Sequence, residues 1–390
     1  MPPTRDDLNA AAEAGLITAE QAARVADFLA ARVAPPAAAL ALNDEEDLRF
    51  IRNFHDVFLA IGIVMLAVGM AVAAITFLSA YGLFREGWKG GAAWLGAALF
   101  AACAGAIWAL GETFSRRRRL FLPSIALCIS FVGFSATTAA FAYAGAVTHG
   151  LSAHAFDLEQ GGLLVKLLIV LAPLAALAGA LSFYHRFKLP FALGFSGALA
   201  ALTAFAVAWA AAPAQVVALY APICIVAGVA LFAAGMAFDM RDPERQGRLS
   251  DNGFWLHLAA APFLLNGALG LIGGVTGRVP AFGPIFQDGN ANAAQAGLTL
   301  TVVAALGFLS LLINRRALIV SALVTTGVAV GVLMNAAGLG AGALVASTLL
   351  TLGAFVLILG ASWRTARRAL LAHLPRHGVW GRAFPPEAPE

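Results

Sequence analysis

From Val57 to Trp363 the chain alternates long apolar runs with short polar breaks. Ten such runs stand out, at 57–80, 92–112, 120–142, 163–183, 190–211, 214–238, 252–273, 294–313, 316–334 and 341–362. Each reaches or nears the ~20 residues that an α-helix needs to cross a ~30 Å hydrocarbon core. Membrane-spanning strands would alternate polar and apolar side chains over ~10 residues, and these runs do not. The pattern predicts an all-α polytopic membrane bundle of about ten transmembrane helices. The breaks Ala212-Pro213 and Asn314-Arg315-Arg316 are so short that their flanking helices must form antiparallel hairpins. Two breaks are longer, 144–162 and 274–293. Five spans repeated once would invert, as in many transporters, but the loop lengths carry no such echo.

Residues 1–34 precede the spans and read as a helical hairpin. Leu8 to Ala14 forms a first helix, and Gly15 suits the left-handed residue that ends it. Thr18 with Gln21 three residues on has the capping-box spacing for a second helix. Pro35-Pro36 opens a linker. Asn43 to Asp56 reads as an interfacial helix leading into the first span, acids before bases as the helix dipole favours. Residues 57–363 hold the spans. Residues 364–390 read as a basic amphipathic tail with a disordered end, Leu370, Leu371 and Leu374 being its apolar positions.

Composition agrees with a lipid environment. The chain is 61% hydrophobic and only 12% charged, about half the charge of a soluble domain. Its +4 net charge is no mark of nucleic-acid binding, because the basic residues lie in loops between apolar runs. All but four of the 25 Lys and Arg fall in the terminal segments or in every second loop. Arg85, Lys89 and Arg278 fall in the alternate loops, and Lys166 lies inside a span. The positive-inside rule then places both termini in the cytoplasm. Arg-for-Lys usage and abundant Ala suggest a bacterium, and hence its inner membrane. The first thirty residues carry five acids and no compact apolar stretch, so no cleavable signal peptide is expected.

Candidate chemistry is sparse. Cys103, Cys128 and Cys224 all lie inside spans, with no CxxC pair. Ionisable groups deep in a bilayer are functional candidates by default. Lys166 sits about one turn inside a span, within snorkelling distance of water. Glu112 and Asp239 lie at the ends of spans beside Arg clusters and read as interfacial ion pairs. The richest stretch is Asp251 to Pro262: Asp251 and Asn252 as helix caps, Trp255 at the interface, then His257 and Pro262. Asn266 follows nine residues after His257, on the opposite helix face. His257, Asn266 and Lys166 are therefore the candidate intramembrane polar site, against a plainer reading of interhelical hydrogen bonds. Pro123, Pro173 and Pro222 also interrupt spans. Gly270xxxGly274 and Gly327xxxGly331 have the spacing of close helix contacts. In the longer loop, His149, His154, Asp157 and Glu159 form a weak candidate metal or pH site, with a solvated loop as the plainer reading. The glycines at 338–342 follow no strand and precede no Lys, so they are no phosphate loop. No catalytic residue and no cofactor is assigned.

The stretches Leu16-Ile17-Thr18-Ala19-Glu20-Gln21-Ala22, Arg49-Phe50-Ile51-Arg52-Asn53-Phe54-His55-Asp56 and Phe254 to Pro262 resemble segments of a family of predicted bacterial polytopic membrane proteins of unknown function, which carry a short N-terminal helical domain. The resemblance implies a fold and a compartment but no activity. Three function classes remain, in this order: handling of a small, neutral solute by a transporter; a non-enzymatic sensor, assembly or scaffold protein; a membrane enzyme. Expected partners are the bilayer, anionic lipid against the C-terminal tail and a protein against the N-terminal hairpin.

Overall fold

The computed structural model describes residues 8, 10–12, 14–25, 54–81, 90–148, 162–242, 248–275, 293–315, 318, 326, 330 and 341–372. The chain divides into two units, Met1–Arg49 with Pro386–Glu390, and Phe50–Pro385.

In the small unit, Gly15 has φ +72°. The Leu16 N–H donates to the Ala11 carbonyl and the Gly15 N–H to that of Ala12. This is the paired closure that a left-handed residue after a helix allows. Two residues on, the next helix opens with the reciprocal box: the Thr18 N–H donates to Gln21 Oε1 at 2.9 Å, and the Gln21 N–H to Thr18 Oγ1 at 3.2 Å. Ala22 is buried.

The large unit is helical, with no strand among the described residues. Its helices are α1 (Phe54–Ala80), α2 (Gly90–Gly111), α3 (Phe121–Thr148), α4 (Leu163–Phe187), α5 (Pro190–Ala211), α6 (Pro213–Ala218), α7 (Tyr220–Asp239), α8 (Arg248–Val275), α9 (Ala293–Ile313) and α10 (Ala341–Leu371). Seven described helices are long and apolar enough to cross a membrane, or eight if the pair Leu349–Trp363 and Thr365–Leu371, bent by 58°, counts as one span. Gly297–Ile313 is a shorter apolar helix. The expected span 316–334 lies outside the described residues apart from Leu318, Thr326 and Val330. Large apolar side chains face outward: Phe58, Val64, Met65 and Val72 on α1, Val226 on α7, Leu350 and Leu357 on α10. Such a surface needs lipid rather than water around it.

Prolines set several boundaries. Pro190 and Pro213 occupy the first turns of α5 and α6, where a missing N–H costs nothing. Pro123 and Pro222 also stand third in their helices, α3 and α7, rather than within them. Pro222 still breaks the sixth expected span. It cannot donate to the Ala218 carbonyl four residues back, and its ring crowds that group, so α6 ends at Ala218 and α7 begins at Tyr220. Pro173 and Pro262 are truly interior, in α4 and α8.

Two cores result. The first joins α1 to α4 with the start of α5, and includes Leu78, Phe100, Ile107, Leu127, Ala180 and Phe183. The second centres on α7 and α8, the most closely packed pair. There a Cβ added at Gly228 would stand 2.8 Å from Leu264, and one at Gly270 2.8 Å from Ala221. Small residues thus let these two backbones approach, as the Gly270 spacing suggests. Leu231, Leu256 and Ala260 fill the seam.

Candidate functional site

The second core carries a buried ionic cluster. Asp239 ends α7, where the helix dipole disfavours a carboxylate. A cation compensates it. The Arg315 guanidinium meets Asp239 side-on, Nη2 to Oδ1 at 2.6 Å and Nε to Oδ2 at 3.1 Å. The same Nη2 also donates to the carbonyl and the Oγ of Ser250, at 3.1 and 2.8 Å. From α8, His257 Nε2 donates to Asp239 Oδ2 at 3.1 Å. Asp239 and Arg315 are each only 3% exposed, and His257 is fully buried. Paired charges sealed from water in this way are held by geometry, because desolvating each ion costs several kcal/mol.

Local backbone rules deliver every member. α9 ends at Asn314, which takes φ +53°. The Arg315 N–H then reaches back to the Ser310 carbonyl and the Asn314 N–H to that of Leu311. This repeats the closure seen at Gly15, with Asn as the left-handed residue. It folds Arg315 back over the bundle, and Ser310 Oγ fastens it by donating to the Arg315 carbonyl. On α8, Ser250, Gly253 and His257 recur at three and four residues and so share the face toward α7. A side chain at Gly253 would overlap Asp239 Oδ1, and a Cβ at Gly235 would come within 2.8 Å of the His257 ring. Phe232 lies against that ring at 4.9 Å between centroids. Ala261, four residues on from His257, packs on Ile313 and Leu318.

α10 joins the same end. Trp363 Nε1 donates to Asn314 Oδ1 at 2.9 Å, and Arg367, one turn on, is buried.

Several expectations change. Asp239 is an ion pair, but a buried one, and its partner is Arg315 rather than the nearby Arg241. Arg315 and Arg367, counted as loop and tail charges, point into protein. α8 begins at Arg248, so Asp251 and Asn252 lie inside its first turns and are not caps. His257 accordingly sits about two and a half turns in. Asn252 donates to Tyr184 Oη at 3.4 Å. Trp255 packs on Phe191 and Phe121, with centroids 5.0 and 6.2 Å away. Of the proposed trio, His257 alone joins the cluster. Asn266 turns back on its own helix, Nδ2 to the Pro262 carbonyl at 2.7 Å. Lys166 is half-buried at the start of the α4 span, far along the chain from these contacts. His149, His154, Asp157 and Glu159 lie outside the described residues. Among the described residues no group of three or more His, Cys, Asp or Glu is placed to hold a metal.

Sequence reasoning missed Arg315 and Ser250. The available signals were an acid at a helix C-terminus, which needs a cation, and Asn314, the residue after glycine best suited to a left-handed turn. No protein-family model, curated protein or solved structure matches this chain.

Proposed function

We propose that this is a multi-pass protein of a bacterial inner membrane, with both termini cytoplasmic. We infer that it moves a small neutral solute, with the Asp239–His257–Arg315 cluster as its cytoplasmic gate. One observation carries the reading: a nearly solvent-free ionic cluster ties the end of α7, the first turns of α8 and the end of α9 together inside a membrane bundle. Apolar packing would hold three helix ends at less cost. An ionic tie differs in that it can be exchanged for water when the helices part. It is therefore stable closed and stable open, as a gate requires. The broken α6–α7 segment and the interior Pro262 supply points where helices can bend. The basic loops at this end support its cytoplasmic placement.

A scaffold or assembly role is the second reading. It is favoured by Asn266, whose amide donates to its own helix rather than facing a shared pocket. Labelling separates the two. In a protein lacking Cys103, Cys128 and Cys224, a single Cys replacing Asn266 should react with a membrane-impermeant maleimide from the outside. One replacing the buried Leu265 should stay silent. Silence at both positions in a folded protein favours the scaffold.

A further inference from the structure

The α2–α3 turn shows a second site, distant in sequence from the ionic cluster. α2 does not stop at Gly111 but widens into a π-helical turn, Glu112–Arg117. The Arg118 N–H closes it on the Thr113 carbonyl at 3.0 Å, and Arg119 follows with φ +51°. A non-glycine residue with positive φ is uncommon, and π turns concentrate at functional positions. The effect is to set Arg116, Arg117, Arg118 and Arg119 in sequence on the surface, all four exposed.

A second basic turn is fixed beside the first. Glu112 receives Arg116 Nη1 at 3.2 Å and Arg186 Nε, from the end of α4, at 2.6 Å. Two residues after Arg186, Lys188 ends α4 with φ +54° and extends over Tyr184. One carboxylate thus ties the α2–α3 turn to the basic end of α4. Among the described residues no acid pairs with Arg117, Arg118 or Arg119. The Arg118 guanidinium rests 5.7 Å from the Phe114 ring centroid. Arranged guanidinium groups with no carboxylate match the planar, two-toothed hydrogen bonding of a phosphate.

Position decides which phosphate. α2 and α3 both span the membrane, and little more than Arg118 to Leu120 separates them. The cluster therefore cannot rise away from the headgroup layer. We propose that the α2–α3 turn, with Lys188 of the adjoining α4 end, binds the phosphate of an anionic phospholipid headgroup. In the C-terminal tail, the sequence-based candidate for that contact, Arg367 is buried and Arg368 exposed, and residues 373–390 lie outside the described residues.

The test uses the full-length protein, delipidated in mild detergent and titrated with phosphatidylglycerol, with bound lipid counted by native mass spectrometry. The pair R117Q/R119Q should weaken binding by about ten-fold or more, since each surface Arg contributes substantially to anionic-lipid attraction. The surface replacement R241Q, at the same end of the bundle, should change it less than about two-fold. Thermal stability of both variants should stay at the wild-type value, since the side chains are exposed. An equal loss per charge removed in the two variants would mean a diffuse field rather than a site, and overturn the proposal. Retained binding in R117Q/R119Q would overturn it too. So would displacement of the lipid by inorganic phosphate at equal phosphate concentration, which would make a free anion the ligand.

Discussion

At the end of the bundle where the basic loops lie, the two halves of the membrane unit solve one problem in two ways. In the first half, α2, α3 and α4 meet through rings. Trp108 lies 4.9 Å from Phe131 and 5.2 Å from Phe187, and Phe183 lies 4.4 Å from Phe187. In the second half, α7, α8 and the end of α9 meet through Asp239, His257, Ser250 and Arg315. Rings attract through dispersion and quadrupole terms of about 0.5–1.5 kcal/mol per pair, and lose little when lipid replaces a neighbour. Ions hold tightly while complete and become a liability when one partner leaves. On the proposed gate reading, the first half stays closed and the second switches between closed and hydrated. That reading would assign motion to α7, α8 and α9 and a static frame to α1–α4.

Substitutions can break this contrast, most strongly at the ion pair. Asp239→Ala strands the buried Arg315 charge and should cost about 3–5 kcal/mol, read as loss of thermal stability in detergent. Removing both charges together, as Asp239→Asn with Arg315→Met, should recover most of that loss. A single replacement clearly worse tolerated than the double would sharpen the point, whereas equal costs would remove it. Next comes Phe183→Ala in the ring cluster. Its cost should fall at or below the low end of the ~3–5 kcal/mol for such cavities, because the alternative solvent here is lipid. Smaller again is Gly253→Ala, whose methyl meets Asp239; overpacking predicts a loss of about 1–3 kcal/mol. The first-half counterpart, Gly133→Ala, has nothing within 4 Å of its new Cβ and should be neutral or gain up to about 1 kcal/mol from helix propensity. Trp363→Phe, which removes the bond to Asn314, should cost at least about 0.6 kcal/mol.

Hydrophobic run length made the fold legible, because lipid leaves so few choices. The spans up to 211 match helices α1 to α5 within a few residues, except that α3 and α4 run on for a turn or more. Gly15 and the Thr18–Gln21 box were readable because both rules act within a few residues. The site was only half legible. His257 stands out as an ionisable residue inside a span, but the cluster's other charges come from Asp239, 18 residues before it, and Arg315, 58 after. Pairings at that distance are made by tertiary packing and leave no local mark. Counting every loop Arg as a surface charge hid Arg315, since the left-handed turn at Asn314 reverses its direction. Nearby in sequence, Asn266 misled for the opposite reason: a polar side chain in a helix can satisfy itself on the carbonyl four residues back.

The most direct test of the gate combines Asp239→Asn with single cysteines in a protein free of Cys103, Cys128 and Cys224. One cysteine replaces Ala261, buried just beyond the cluster, and a control replaces Leu127, buried in the first core. Reaction with a membrane-impermeant maleimide is followed from the cytoplasmic side. The account predicts that position 261 is silent with Asp239 present and reactive without it, while position 127 stays silent throughout. If 261 remains silent in a folded Asp239→Asn protein, or if 127 reacts as readily as 261, the cluster is not a gate and the contrast between the two halves has no bearing on motion.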